Sequence, residues 1–403
     1  MLRAIFSVVV VMLAMGVTVA SNPTAEPQEK QKSNKTIYDP INYAAVQRAL
    51  DRASQPTLLQ RVAESMHSPI IVRENLQLDV RAGIAYTRET NLALTLASSA
   101  TYHSNNISAT SSAQVAAMAS ISGFYRVQAN GEHYISNRSR IRYNADVASL
   151  PTRFWGLGYD AAINNTLSEC TNFSTNASAQ YLYHIGHKVH IGAGIDLRYG
   201  KGHRFEPLAE KYLLQGAQSR LSAYTTGFSL TALYDSRNDS HTTTKGLYLA
   251  FTPELRPKAL GNYHTTLWHF TAQADFYQPL WKGATAAIDL YADLWSSAAP
   301  WFYWPALGGQ SRMRGYYYGR YTDSKMLTAQ VELRQHIYGP LGTVVWGGAG
   351  NIFSTLSTFD WGHTLPNAGV GLRLNLNNRT ALRIDYGFGR RTGGLIINVN
   401  EAF

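Results

Sequence analysis

Hydrophobic and polar residues alternate with a period of two over most of the chain from about Asn75 onward. Strict alternation of this kind is typical of β-strands that have one apolar face. Clear runs begin near Val189, Trp268, Leu327, Val370 and Leu382. About fifteen such stretches can be marked, and helical periodicity is nearly absent beyond residue 70. The pattern therefore predicts an all-β chain.

The residues on the two faces of these strands distinguish a soluble sandwich from a membrane barrel. The polar face mixes Gly with Arg, Asp and Glu, and Tyr and Trp gather near the strand ends. In a soluble sandwich the apolar face would pack against a second sheet. An apolar exterior, aromatic girdles and a polar lumen are instead typical of a transmembrane antiparallel β-barrel, which in bacteria has an even number of strands. We therefore predict a barrel of about sixteen strands over residues 75–403.

The N-terminal part has a different pattern. Residues 1–20 combine a basic head, an apolar run and a small-residue end, which predicts a secretory signal peptide. Residues 21–36 are polar with two prolines and are predicted to form a disordered leader. Residues 37–70 are predicted to contain a short helical segment that starts near Asp39-Pro40. This segment could plug the lumen, dock on a periplasmic partner or pack against the rim of the barrel.

Composition and charge exclude some other classes of protein. The net charge is +10, but Lys and Arg occur singly, without basic runs interleaved with aromatic residues. We therefore expect no nucleic-acid partner, and lumen-facing residues or anionic lipid headgroups account for the charge. The single cysteine, Cys170, lies in polar sequence and is predicted to be a solvent-exposed free thiol in a loop.

Connections between strands are also visible. Asn130-Gly131 and the run 339–342 are predicted to be short turns. Longer polar insertions are predicted to be extracellular loops, and they lie near 161–174, 201–220, 298–322 and 355–364.

One of these loops contains the segment 307–316, LGGQSRMRGY, which is richer in Gly and Arg than a hairpin turn requires. Gly308 and Gly309 allow the chain to fold back on itself, and Arg314 would then present one fixed cation. An ordinary surface loop with solvated arginines is the alternative interpretation.

Several motifs, in the right order, resemble the BamA/TamA superfamily, also called the bacterial surface antigen family of insertases and translocases. The segment 307–316 is similar to the arginine-glycine-aromatic tip of that family's sixth extracellular loop. The run 154–160 is similar to a turn of the family's shorter members, those without periplasmic POTRA domains. Strand motifs carry the rest of the resemblance. The first consists of Asp235, Arg237, Asp239 and Gly246, and it has one extra residue before Asp239 compared with the family pattern. The last strands contribute Gly369, Gly371 and Arg373, followed by the run 382–387.

The resemblance implies that the loop enters the lumen and that Arg314 binds acidic side chains of the barrel wall, since a guanidinium in a confined polar space gains most from a bidentate carboxylate. Gly315 would allow the tight backbone and Tyr316 would pack the tip.

The sequence departs from the family where an acidic partner of this arginine is expected, because Gly348 stands there. Either Arg314 binds other carboxylates, or its attachment to the barrel wall is weakened. Glu332 and Asp385 are the candidates, because the alternation of their strands places both side chains on the lumen side.

The last residue, Phe403, is predicted to lie on the outward apolar phase with Leu395, Ile397 and Val399. A terminal aromatic residue of this kind is the usual mark of an outer-membrane barrel presented to its assembly machinery. We therefore expect a monomeric barrel in the lipid of the outer membrane of a Gram-negative bacterium.

The resemblance implies insertion or translocation of proteins at the outer membrane, with lipid movement as a variant. A passive pore or a structural surface barrel is the alternative. The histidines are scattered and no Gly-x-Ser-x-Gly elbow is present, so we expect no enzyme, no catalytic residue, no cofactor and no metal. Calcium at Asp235 and Asp239 is a weaker interpretation than pairing of these acids with Arg237. The client and any accessory proteins cannot be identified from the sequence.

Overall fold

The computed structural model describes residues 71–73, 76–87, 91–103, 107–214, 221–239, 242–377, 380–399 and 401–403. The signal peptide, the leader and the helical segment predicted for residues 1–20, 21–36 and 37–70 lie outside these residues.

The alternating runs form β-strands. Those that the structure describes are β1 (Ile71–Arg73), β2 (Leu76–Thr87), β3 (Asn91–Tyr102), β4 (Ser111–Ser120), β5 (Tyr125–Tyr134), β6 (Ser139–Phe154), β7 (Ser168–Gly186), β8 (Val189–His203), β9 (Ser222–Asp235), β10 (Gly246–Arg256), β11 (Leu267–Pro279), β12 (Ala284–Trp295), β13 (Ala306–Leu307), β14 (Tyr321–Thr322), β15 (Lys325–Tyr338), β16 (Leu341–Phe353), β17 (Leu365–Asn377), β18 (Thr380–Gly389) and β19 (Thr392–Val399).

Helices are few and short, and they lie in the connections. The α-helices are α1 (Gly158–Asn164) and α2 (Pro207–Leu214), and the 3-10 turns are Lys258–Leu260, Trp301–Tyr303, Leu356–Thr358 and Trp361–His363. No helix in the described part of the chain is long and apolar enough to cross a membrane.

Sixteen strands, β2–β12 and β15–β19, form one antiparallel sheet, which confirms the predicted fold class and strand number. The short β1 pairs with the start of β2. Strand β12 pairs directly with β15, so residues 296–324 leave the sheet as one long loop in which β13 and β14 form a separate pair. Within the described residues the sheet does not close into a continuous ring.

Burial of side chains on this sheet is the reverse of burial in a soluble protein. On β15, Val331 is 51% exposed, whereas the neighbouring Glu332 is 0% exposed. On β18, Tyr386 and Phe388 are exposed, whereas Asp385 is fully buried. Charged residues are almost never fully buried in soluble proteins unless they are paired. An apolar outer face and a charged inner face are the arrangement of a transmembrane barrel with a polar lumen.

Three of the sequence predictions about connections are wrong. Asn130-Gly131 lies inside β5, where Gly131 is needed for space, because a Cβ on it would lie 2.4 Å from the Tyr143 hydroxyl.

The predicted loop 161–174 ends earlier, because β7 begins at Ser168. Cys170 is therefore a strand residue that is 2% exposed and packs with Phe154 and other apolar side chains, not a solvent-exposed loop thiol. The predicted turn at 339–342 does join two strands, β15 and β16.

Candidate functional site: a loop docked in the lumen

The long loop between β12 and β15 folds back on itself before its tip. Leu307 pairs with Tyr321 across the β13–β14 ladder. Gly308 and Gly309 follow with φ of +103° and +116°, a backbone region that residues with a Cβ rarely adopt. These two glycines turn the chain toward the tip, as their position in the sequence predicts.

The structure brings Arg314 together with Glu332 and Asp385. Arg314 Nη1 donates to Asp385 Oδ2 at 2.8 Å, and Arg314 Nη2 donates to Glu332 Oε1. All three side chains are 0% exposed. One buried guanidinium therefore binds carboxylates from two separate wall strands, β15 and β18, which is the strong, charge-assisted form of hydrogen bond.

The wall opposite Arg314 is shaped by an aromatic ring and two glycines. The Arg314 guanidinium lies 3.7 Å from the centre of the Trp346 ring, a cation–π distance. A Cβ on Gly369 would lie 2.1 Å from that ring, and a Cβ on Gly371 would lie 2.0 Å from Asp385 Oδ1. The two glycines of the predicted strand motif thus leave the space that Trp346 and Asp385 occupy.

Backbone contact between the loop and β18 requires two further glycines. A Cβ on Gly315, whose φ is +102°, would lie 2.6 Å from the carbonyl carbon of Gly387. A Cβ on Gly387 would lie 2.6 Å from the carbonyl oxygen of Arg314. Real Cβ contacts are never this short, so docking at this depth depends on both residues being glycine.

Tyr316 closes the tip. Its hydroxyl donates to the carbonyl of Pro366 at 2.6 Å and accepts from the backbone N–H of Arg390 at 2.7 Å. Its ring is 5% exposed and packs edge-on against Tyr321 at 5.8 Å. A buried tyrosine usually has its hydroxyl hydrogen-bonded, and here that hydroxyl joins the loop to β17 and to the β18–β19 turn.

The position where an acidic partner was expected, Gly348, carries no side chain because the space is taken. A Cβ there would lie 2.7 Å from the Ala329 carbonyl and 2.7 Å from the side-chain amide of Asn367. In the orientation that satisfies both ends of this amide, its nitrogen donates to the Gly348 carbonyl at 3.2 Å and its oxygen accepts from the backbone N–H of Arg314 at 3.2 Å. The carboxylates that bind Arg314 come instead from β15 and β18, and the amide of Asn367 lies beside Gly348.

Sequence reasoning missed a second arginine of the loop. Arg312 donates to both oxygens of Asp289, at 2.7 and 2.8 Å, and lies 3.9 Å from the centre of the Tyr291 ring. Burial disfavours the charged form of Arg312, but the hydrogen bonds that it donates to Asp289, together with attraction to that carboxylate, outweigh burial and hold the pKa of Arg312 above its ordinary value. Gln330 also donates to Asp289 at 3.0 Å. The inward phase of Asp289 in β12 was the signal that could have identified this pair.

The predicted role of Phe403 on the outward apolar phase is wrong in its geometry. Strand β19 ends at Val399, so the alternation does not continue to Phe403. The Phe403 ring lies 5.0 Å from the guanidinium of Arg334 and 6.2 Å from the ring of Tyr277, both inward residues. Whether Phe403 acts as an assembly signal stays a prediction.

The earlier strand motif lies in the β9–β10 turn. Arg237 donates to both oxygens of Asp235, at 3.0 and 2.8 Å, whereas Asp239 accepts from the backbone of Thr242 at 2.8 Å. Gly246, with φ of +123°, begins β10. No group of three or more His, Cys, Asp or Glu side chains in the described ranges is arranged to hold a metal ion.

The family follows from comparison with known proteins. A model described as the Omp85 superfamily domain matches residues 74–395, which is most of the chain. The chain belongs to the Omp85 superfamily. No curated protein matches this Omp85 chain at a significant level.

Solved structures show the same fold. BamA from Haemophilus ducreyi lacking POTRA domains 1–3 aligns with a TM-score of 0.55 and 12% identity, over 81% of this chain and 70% of that one. CdiB from Acinetobacter baumannii aligns with a TM-score of 0.52 and 11% identity, over 82% and 60%. CdiB from Escherichia coli aligns with a TM-score of 0.55 and 13% identity, over 82% and 62%. This chain therefore spans less than two thirds of either CdiB protein.

Omp85 proteins are barrels for membrane insertion or transport. Membership supports, in general terms, a role in insertion or translocation of proteins at the outer membrane.

Proposed function

We propose that this Omp85 barrel inserts proteins into, or moves them across, the outer membrane of a Gram-negative bacterium, and that its Arg-Gly-Tyr loop is a latch whose docking in the lumen sets the state of the barrel. The barrel acts as a monomer in lipid, with client and accessory proteins still to be identified.

The observation that carries this proposal is the complete burial of Arg314 between Glu332 and Asp385. A surface loop would keep its arginines solvated, so full desolvation of a loop cation needs a reason. Breaking a buried ion pair by removal of one partner costs roughly 3–5 kcal/mol. A cost of this size favours one docked state, and it also allows a second state when an incoming chain supplies replacement contacts.

Space for such a chain lies next to the latch. A cavity of about 590 Å³ is bounded by Tyr316, Tyr317 and Tyr318 of the loop, by the lumen side of β6 and by residues 393–397 of β19. A passive pore would also contain open volume. However, a passive pore has no need of a loop cation that binds two strands at once.

The test compares Arg314→Ala with the unaltered chain in two measurements. Single-channel recording of the purified barrel reports the lumen, and quantitative proteomics of the outer-membrane and secreted fractions reports client assembly and export. Arg314→Lys keeps the charge but loses the planar fork that binds two carboxylates, and we expect it to be intermediate. Arg391→Ala, which removes an exposed arginine from the β18–β19 turn, is the matched control.

We expect Arg314→Ala to change the current and to reduce assembly or export of particular proteins, with Arg391→Ala unchanged in both. An altered current with unchanged protein fractions would support the passive pore. An unchanged current together with unchanged fractions would contradict the latch.

A further inference from the structure

Each carboxylate that binds Arg314 also binds a second arginine. Glu332 uses Oε1 for Arg314 and Oε2 for Arg334, at 2.9 Å. Asp385 uses Oδ2 for Arg314 and Oδ1 for Arg373, at 2.6 Å. The two acids of the latch are therefore shared equally between the loop and the wall.

The two wall arginines meet again at one further carboxylate. Arg373 Nε donates to Glu401 Oε2 at 2.8 Å, and Arg334 Nε lies 3.8 Å from the same oxygen. The Glu401 side chain is 13% exposed. Arg334 Nη2 also donates to the backbone carbonyl of Phe403 at 3.1 Å.

These contacts close a ring of six side chains with alternating charge, which we call the latch ring: Arg314, Glu332, Arg334, Glu401, Arg373 and Asp385. Glu401 lies opposite Arg314 in this ring and comes from the segment that follows β19.

We infer that Glu401 is a positioning residue for the latch, and that residues 401–403 and the lumen loop are coupled through the latch ring. The inference deepens the proposed function, on which its biological consequence rests.

Charge balance gives the physical reason. Three carboxylates in the latch ring face three guanidinium groups, and Arg383 adds a fourth cation 3.7 Å from Asp385. Without Glu401, two carboxylates would face four cations. Arg334 and Arg373 would then draw Glu332 and Asp385 toward themselves and repel Arg314. In a low-dielectric interior such an imbalance costs far more than at a surface. Anything that displaces residues 401–403 would therefore loosen the loop.

The test measures docking of the loop directly. Met313, next to Arg314, is 2% exposed. In a Cys170→Ser background, Met313→Cys provides a single thiol whose reaction with a membrane-impermeant maleimide is slow while the loop is docked. Arg314→Ala sets the rate for the undocked loop. Glu132→Gln is the matched control, since Glu132 is 24% exposed and pairs with Arg140 and Arg142 outside the latch ring.

We expect Glu401→Gln to raise the labelling rate by roughly tenfold or more, because it removes a buried partner of two arginines, and we expect Glu132→Gln to leave the rate unchanged. Adding Arg373→Gln to Glu401→Gln restores the balance of charge and should slow labelling again, an effect that a packing defect would not show. Unaltered migration of the folded barrel on unheated gels excludes misfolding.

Slow labelling in Glu401→Gln, alongside fast labelling in Arg314→Ala, would overturn the inference and leave the proposed function intact. Failure of Arg314→Ala to change current or export, with fast labelling in Glu401→Gln, would overturn the proposed function and leave the coupling intact. No slowing on addition of Arg373→Gln would also count against Glu401 as a positioning residue.

Discussion

The loop between β12 and β15 is held at two places inside the barrel by two kinds of charged cluster. At its tip, the latch ring takes one cation from the loop and the remaining charges from the wall and residue 401. Near its start lies a second group, the root cluster, whose ionisable side chains all come from wall strands: Asp196 and Arg198 of β8, Glu254 and Arg256 of β10, His269 of β11 and Asp293 of β12.

In the root cluster the loop contributes an aromatic side chain. Tyr303 donates to the Arg198 carbonyl at 3.2 Å and accepts from Thr225 Oγ1 at 3.1 Å. Its ring lies 5.4 Å from that of Trp295, and the Arg256 guanidinium lies 5.7 Å from the centre of the Tyr303 ring.

The difference between the two clusters is informative. Loss of the loop from the latch ring removes a hydrogen-bond donor from each of two buried carboxylates, Glu332 and Asp385, whereas loss of Tyr303 from the root cluster leaves the wall ion pairs complete. The tip should therefore have two well-separated states, and the root should be a graded anchor.

The largest effect should come from blocking the tip by sterics alone. Gly387→Ala places a methyl group 2.6 Å from the Arg314 carbonyl oxygen and leaves every charge of the latch ring in place. Overpacking of this kind costs roughly 1–3 kcal/mol, and here undocking relieves the clash. We expect fast maleimide labelling of Met313→Cys in this variant.

Gly347→Ala is the matched control, since the nearest atom to its Cβ would be 4.0 Å away. Labelling as slow in Gly387→Ala as in the parent would mean that the close backbone approach at β18 is not needed for docking.

A smaller effect is expected at the root. Tyr303→Phe keeps the ring against Trp295 but removes two hydrogen bonds, worth roughly 1 kcal/mol each. We expect a lower midpoint of thermal unfolding with unchanged labelling of Met313→Cys. Tyr338→Phe, at a tyrosine that is 82% exposed, is the control. Fast labelling in Tyr303→Phe would show that root and tip release together.

The alternation of the sequence was enough to predict the barrel fold, and on β15 and β18 it indicated which side chains face the lumen. Glu332 and Asp385 were selected as partners of Arg314 from their inward phase, and the structure places both against it. Their role in function stays a prediction. The alternation was sufficient for these two residues because β15 and β18 keep a regular register with their neighbours through Glu332 and Asp385.

The sequence predictions were wrong where the alternation of residues ends, or where the local composition resembles that of a loop or turn. Phe403 follows the end of β19, so the alternation could not be extended to it. Cys170 lies in β7 among small polar residues, which look like a loop because little apolar surface marks the outer face there. Asn130-Gly131 has the composition of a turn, yet Gly131 serves to admit the Tyr143 side chain. Glu401 depends on contacts with distant segments, which a single sequence does not reveal. Arg312, in contrast, could have been paired with Asp289 from the inward-facing position of Asp289 in β12.

The smallest effect concerns the end of the loop, where the chain returns to the sheet just before β15. Asp323 is 7% exposed and accepts from the backbone N–H of Ser324 at 2.6 Å. Burial raises the pKa of this carboxyl above its ordinary 3.8, against the opposing effect of that hydrogen bond and of Lys325. A carboxyl with a raised pKa stabilises the fold fully below its unfolded pKa, and this contribution is lost as the pH rises through the folded value.

At neutral pH the ionised Asp323 should therefore cost stability, and Asp323→Asn should remove that cost while its Oδ1 still accepts from Ser324. We expect a gain of about 1 kcal/mol or less at neutral pH, which shrinks as the pH falls toward about 4. Thermal unfolding midpoints between neutral pH and about pH 4 measure this gain in stability. Asp160→Asn, at a side chain that is 81% exposed, is the control. A lower midpoint for Asp323→Asn at neutral pH would mean that attraction between the carboxylate and Lys325 outweighs burial, and that this part of the loop is held by charge, as the tip is.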